Sequence, residues 1–285
     1  MKLTCSRPVW QCVLLSGLIF CGICFAASCT IPHYMYAPTA AGVPSFTGKH
    51  TSQISGSLSA RGFDLQAGYA LTGHFGVWGG WYRRSERNYA RGYRPEGLSG
   101  YRTPDSVRYG RGLVSLGAVY YTPVDQWRRF FFSVSAGYGT GYFRMISHIH
   151  RKSSVDSTGI YEDYAYRARM RRIYVQPAFM HRFEHWSVTI SVRWSGTVYQ
   201  DVRSPDPDLY GHVSNQLLSF VEPAMTWKLS PGPDWLMISA QAGVSLHTPA
   251  IDYRYRPLIG NIGVSVDPVK LLGKKEPFRQ TPSPR

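Results

Sequence analysis

The residues best suited by type to covalent chemistry are His212, Val213, Ser214 and Asn215. A histidine two positions before a serine can accept the hydroxyl proton while the oxygen attacks an acyl ester. On a β-strand, residues two apart share a face, so the pair would meet. Glu222 follows in the same segment and has the chemistry to orient the imidazole. Ser147, His148 and His150 form a second, less specific group. A different chemistry is offered by Arg167, Arg169 and Arg171, which alternate with Tyr166, Ala168 and Met170. On a strand their guanidinium forks would project from one face and could hold phosphate oxygens. No Gly-rich phosphate loop, paired-carboxylate motif or His-rich metal spacing stands out, so neither cofactor nor metal is expected.

The elements that must position these residues are written in a two-residue period. Phe130, Phe132, Val134, Ala136, Tyr138, Thr140 and Tyr142 alternate with Phe131, Ser133, Ser135, Gly137, Gly139 and Gly141, which gives one bulky face and one small face. Val188, Ile190, Val192 and Trp194 repeat the pattern, as do Leu236, Ile238, Ala240, Ala242, Val244 and Leu246. Strands are expected near 51–59, 63–71, 75–83, 112–121, 130–143, 166–181, 186–199, 217–228, 235–247 and 258–266. Runs of this length suit a membrane crossing, which takes about 9 to 11 residues per strand, better than an ordinary sheet. Short connections (Thr72 to His74, Thr122 to Arg129, Arg182 to His185, Leu229 to Asp234) alternate with long ones at 84–111, 144–165, 200–216 and 248–257. That is the habit of a transmembrane up-and-down antiparallel β-barrel, here all-β with about ten strands. Trp127, Trp186, Trp227 and Trp235 flank short turns, and Trp81, Tyr82, Tyr142, Trp194 and Tyr199 lie near the other ends, as two aromatic girdles would.

The N-terminus reads as an export signal. Lys2 and Arg7 precede an apolar stretch from Val9 to Ala27, and Phe25-Ala26-Ala27-Ser28-Cys29 resembles a lipobox, which implies a signal peptide over 1–28 and acylation of Cys29. All five cysteines lie at or before Cys29, so the mature chain can form no internal disulfide. Residues 29–50 lack an apolar period and read as a linker to a barrel over 51–266; the proline-bearing tail 267–285 is expected to be disordered in the periplasm. An acylated N-terminus on the periplasmic side would then put every long connection outside. Tyr34-Met35-Tyr36-Ala37-Pro38, Val43-Pro44-Ser45-Phe46-Thr47 and the run from Gly62 to His74 resemble the outer-membrane barrel lipoproteins of Bacteroidetes bacteria. The resemblance covers residues 29 to about 83; it implies barrel and anchor and brings no assigned activity.

The formal net charge is +15, and eight arginines crowd the stretch from Arg83 to Arg111. With export, the partners implied are outer-membrane lipid and lipopolysaccharide, together with the barrel assembly machinery, and not nucleic acid. Inward positions include Asp64, Gln66, Gly117, Ser133, Ser135, Gly137, Gly139, Gly141, Ser191, Arg193, Glu222, Gln241 and Asn261. Their small side chains leave room for a wet groove, but ten strands enclose too little for a large channel. The function expected is a non-enzymatic structural or surface-interaction role, with basic outer segments touching anionic glycolipid. Two alternatives stand beside it. One is a narrow pore. The other is a lipid A-modifying acyl-ester hydrolase, because His212-Val213-Ser214-Asn215 resembles the His-x-Ser-Asn element of outer-membrane lipid A deacylases.

Overall fold

Each strand of the wall turns alternate side chains outward and the rest into the lumen, and the register between neighbours keeps the two sets apart all the way round. The computed structural model describes residues 36, 38–40, 42, 45–59, 62–89, 106–152, 159–203, 213–247 and 257–273. Its strands are β1 (Ser52–Ser59), β2 (Gly62–Ala70), β3 (Phe75–Tyr89), β4 (Ser106–Pro123), β5 (Phe130–Lys152), β6 (Gly159–Arg182), β7 (Trp186–Arg203), β8 (Leu217–Leu229), β9 (Leu236–Val244), β10 (Leu246–His247) and β11 (Leu258–Val266). β1 to β8 pair in chain order, β9 pairs with β8 and β11, and β11 pairs with β1, all antiparallel, so the sheet closes on itself. β10 continues β9 past an interruption at Ser245 without changing register, since Gly243 faces Ala224 and Leu246 faces Val221. Counted as one, they make a closed barrel of ten strands.

The outward set is apolar around the whole circumference: Leu58 is 65% exposed, Leu116 69%, Ile190 54% and Ile262 56%. On β6 the outward face runs through Phe179, Val175 and Ile173, as the alternation predicts. An apolar belt of that extent is far larger than a water-soluble monomer tolerates.

Several expectations are corrected. The strands on both sides of 84–111 and 144–165 run on well past the expected ends, because the alternation persists: Val107, Tyr109 and Arg111 turn inward on β4 while Tyr166, Ala168 and Met170 do so on β6. Of the second girdle, Trp81, Tyr142 and Trp194 face out, but Tyr82 and Tyr199 turn into the lumen and join a buried apolar cluster with Leu113, Phe143, Met145 and Phe220. The first residues of the expected disordered tail form a short helix, α1 (Pro268–Leu271). Its N-cap, Asp267, accepts from the Val269 and Lys270 amides, and the Ser52 hydroxyl donates to it at 2.9 Å. Residues 274–285 and 1–35, including the signal segment and Cys29, lie outside the described residues.

Candidate functional site

The lumen is occupied by the chain's own N-terminal segment. The described residues between Tyr36 and Phe46 form a strap through the barrel, where the sequence suggested only a linker. The Tyr36 ring stacks on Phe220 with centroids 3.7 Å apart, and its hydroxyl donates to Glu222 Oε1 at 2.8 Å. Further along, the Arg193 guanidinium donates to the carbonyls of Thr39 (2.9 Å) and Ala40 (3.1 Å) and to Thr39 Oγ1 (3.2 Å), while Arg172 reaches the same hydroxyl at 3.1 Å. The Gly42 carbonyl accepts from the Gln176 amide at 3.3 Å. A Cβ at Gly42 would lie 2.6 Å from Gln66 Oε1, so a larger residue there would have to push the Gln66 side chain aside. Lys228 Nζ donates to Ser45 Oγ at 2.5 Å, and Phe46 is buried with Ala70, Val119 and Tyr121. The strap has no apolar period because its described residues meet different parts of a surrounding wall rather than one face of a sheet.

A carboxylate anchors this arrangement. Glu222 is fully buried and accepts from Arg193 Nε (2.6 Å) and Ser195 (3.4 Å) on one oxygen, and from Tyr36 (2.8 Å) and Ser245 (3.2 Å) on the other. A buried charge is tolerated only when its lone pairs are satisfied in this way. The small inward residues serve packing rather than a wet groove. A Cβ on Gly137 would collide with the Tyr174 hydroxyl and the Leu116 carbonyl, and the space it vacates holds Tyr174 tilted against Trp78 with centroids 5.6 Å apart. Cavities of about 50 and 10 Å³ flank the strap, and one of about 130 Å³ opens at the short-turn mouth beside Lys228 and Trp186.

On the outer surface, Arg167, Arg169 and Arg171 are all exposed on the face that continues as Ile173 and Val175. The register brings in two more. Arg144 of β5 pairs directly with Arg167, and Arg167 pairs directly with Arg203 of β7, all three outward. Arg203 faces outward because of a bulge. Arg167 faces Arg203 while Arg169 faces Gln200, so β7 carries one extra residue, and Asp201 there has φ +52°. The bulge reverses the parity, with Tyr199 and Val202 inward but Gln200 and Arg203 outward. Asp201 lies 3.4 Å from Arg169, an exposed ion pair worth little by itself.

No family model and no curated protein matches this sequence. Among solved structures the chain is similar to an outer-membrane channel from Pseudomonas putida F1, at 10% identity over 81% of this chain and 98% of that one, with a TM-score of 0.33. It is also similar to LpxR from Salmonella typhimurium, at 8% identity over 76% and 98% of the two chains, with a TM-score of 0.31. These likenesses are of barrel form and reach no further.

Of the candidate catalytic residues, the two described ones, Ser214 and Glu222, lie apart. His212 lies outside the described residues, and Ser214 is not on a strand: it makes an isolated bridge with Tyr199, followed by Asn215 at φ +61°. Glu222 faces Arg193, whereas Ser214 lies opposite Tyr199, which is roughly 20 Å farther along β7 at 3.3 Å per residue. Both Glu222 oxygens are held in the lumen by Arg193, Ser195, Tyr36 and Ser245. Ser147, His148 and His150 belong to β5. Arg144 was legible, two positions beyond outward Tyr142; Arg203 was not, because strict alternation from Trp194 sends it inward. The one signal of the bulge is Asp201, a residue type that tolerates left-handed backbone.

Proposed function

We propose that this chain is an outer-membrane barrel with its lumen filled by its own strap, a structural or surface-interaction protein whose basic rim holds phosphorylated glycolipid of the outer leaflet. The observation that carries this reading is the row Arg144, Arg167 and Arg203. Neighbouring strands are about 4.8 Å apart, and like charges at directly opposed positions repel, so the row calls for a bridging polyanion. Arg169 and Arg171 extend it down to the level of Ile173, where the apolar belt begins, so the charges lie at the height of lipid headgroups. Guanidinium forks match phosphate oxygens in geometry as well as charge. An export signal and an acylated Cys29 complete the proposal, and the likeness of residues 29 to about 83 to barrel lipoproteins of Bacteroidetes supports it. The long connections face outward and the short turns face the periplasm, as in outer-membrane barrels generally.

The test is to replace Arg144, Arg167 and Arg203 by Gln and to measure phosphate-bearing glycolipid that copurifies in mild detergent. A several-fold drop is expected with the barrel intact; unchanged lipid would overturn the reading. Topology is checked with single cysteines at Ser99, Ser154 or Asp206, which should react with an impermeant reagent on intact cells, and at Gln126, Glu184 or Asp234, which should not. Labelling of both sets alike would contradict a membrane-spanning barrel.

A further inference from the structure

The strap has a direction, and the wall residues it meets define it. Tyr36 lies with Tyr199 and Phe220, near the ends of β7 and β8 that lead into the long connection between them. Thr39 and Ala40 meet Arg172 and Arg193 at mid-wall. Phe46 lies with Ala70 and Tyr121, at the ends of β2 and β4 that lead into short turns. The chain thus runs from the long-connection mouth to the short-turn mouth, and β1 turns back from there.

We infer that the chain upstream of Tyr36 leaves the barrel at the mouth bearing the long connections, and that its partner there is the lipid surface of that side, the same side as the arginine row. This reverses the expectation of a periplasmic N-terminus. A return through the lumen would have to pass mid-depth, where Arg172 and Arg193 grip Thr39 and Ala40 and the cavities beside the strap, about 50 and 10 Å³, are of a size for a few waters. Reach gives the same answer. Fully extended at about 3.4 Å per residue, the chain from Cys29 to Tyr36 covers roughly 24 Å. The wall from Glu222, which Tyr36 touches, to the end of β8 at Leu229 is roughly 23 Å along the strand and roughly 18 Å along the barrel axis at a tilt of about 40°, which leaves roughly 6 Å, too little to round the rim and reach the bilayer. Ile31, Tyr34 and Met35 in this stretch are the apolar and amphipathic types that settle at a lipid interface. The direction of the strap holds whichever membrane the barrel occupies; the identity of the leaflet rests on the function proposed above.

Two measurements test it. A photo-crosslinking phenylalanine at Tyr36 in protein purified from membranes should capture β7 and β8 peptides, and one at Phe46 should capture β4. The reverse pattern, or no capture of either, overturns the inference. An epitope inserted between Thr30 and Ile31 should then stain intact cells as an epitope after Ser154 does, and unlike one after Gln126. Staining that follows the Gln126 marker overturns it as well. If the two markers themselves exchange sides, the outer-membrane topology fails, but agreement of the Thr30 epitope with the Ser154 marker still decides the direction. Should the insertion block assembly, the crosslinks decide alone.

Discussion

Replacing Arg193 by Met removes the guanidinium that joins the strap to the wall. Breaking a buried ion pair by deleting one partner costs about 3–5 kcal/mol, because the other charge stays behind uncompensated. Glu222 keeps three hydroxyl donors, from Tyr36, Ser195 and Ser245, which puts the loss near the low end, about 3 kcal/mol. The carbonyls of Thr39 and Ala40 lose their donor too, at about 1 kcal/mol each. The single variant should therefore lose about 5 kcal/mol, a fall of about 2.5 M in the urea midpoint if the slope is near 2 kcal/mol/M. Adding Glu222→Gln removes the stranded charge and leaves only the strap bonds missing, so the double variant should lose only about 2 kcal/mol. Urea unfolding in detergent, followed by the change in gel mobility between folded and heated barrel, measures both. A double variant as unstable as the single, or a single variant within about 0.5 kcal/mol of the parent, would refute the assignment of Arg193 and Glu222 as the clasp of the strap.

Removing residues 30–46 should raise conductance in planar bilayers from little or none to a measurable, steady level; equal conductance with and without the strap would mean that it does not fill the path. Asp201→Gly should be neutral or stabilising by up to about 1 kcal/mol, since glycine adopts φ +52° without strain, while Asp201→Val should destabilise by about 1–2 kcal/mol, read from the same urea curves. His212→Ala and Ser214→Ala should leave the acylation of envelope lipid unchanged by mass spectrometry; loss of an acyl chain on expression of the parent, abolished by either substitution, would install the hydrolase reading instead.

The wall was legible in the sequence because a barrel strand repeats one decision every two residues. Phe132, Tyr138 and Tyr142 face out and Phe131, Ser135 and Phe143 face in because a strand has no other way to separate them. The same logic places Arg167, Arg169 and Arg171 on the outward face, where they lie. It failed where parity changes, at Asp201; Tyr82 and Tyr199 follow the alternation from Trp81 and Trp194 inward, and only their assignment to a girdle by residue type was wrong. The strap could not be found from periodicity. Its traces are indirect: aromatic residues at both ends of a stretch otherwise poor in structure signals, and inward Arg193 and Glu222 whose surplus bonding capacity asks for a guest. The grouping of Glu222 with Ser214 failed for a related reason, since nearness in sequence on a strand is distance in space along the wall.

The strap also governs when the barrel can finish. Tyr36 finds its partners at Ser195, Phe220 and Glu222, so the first described residue of the strap has nowhere to settle until the eighth strand exists. Hairpins, β8 with β9 among them, can form locally in chain order, whereas the pairing of β11 with β1 joins the first and last strands and closes the wall around whatever the lumen contains. Closure before the strap has entered traps Arg172, Arg193 and Glu222 against an empty interior; a strap that enters early has no wall to grip. Assembly therefore resembles closing a hinged tube round a cord, with a slow step set by long-range capture rather than by any single hairpin.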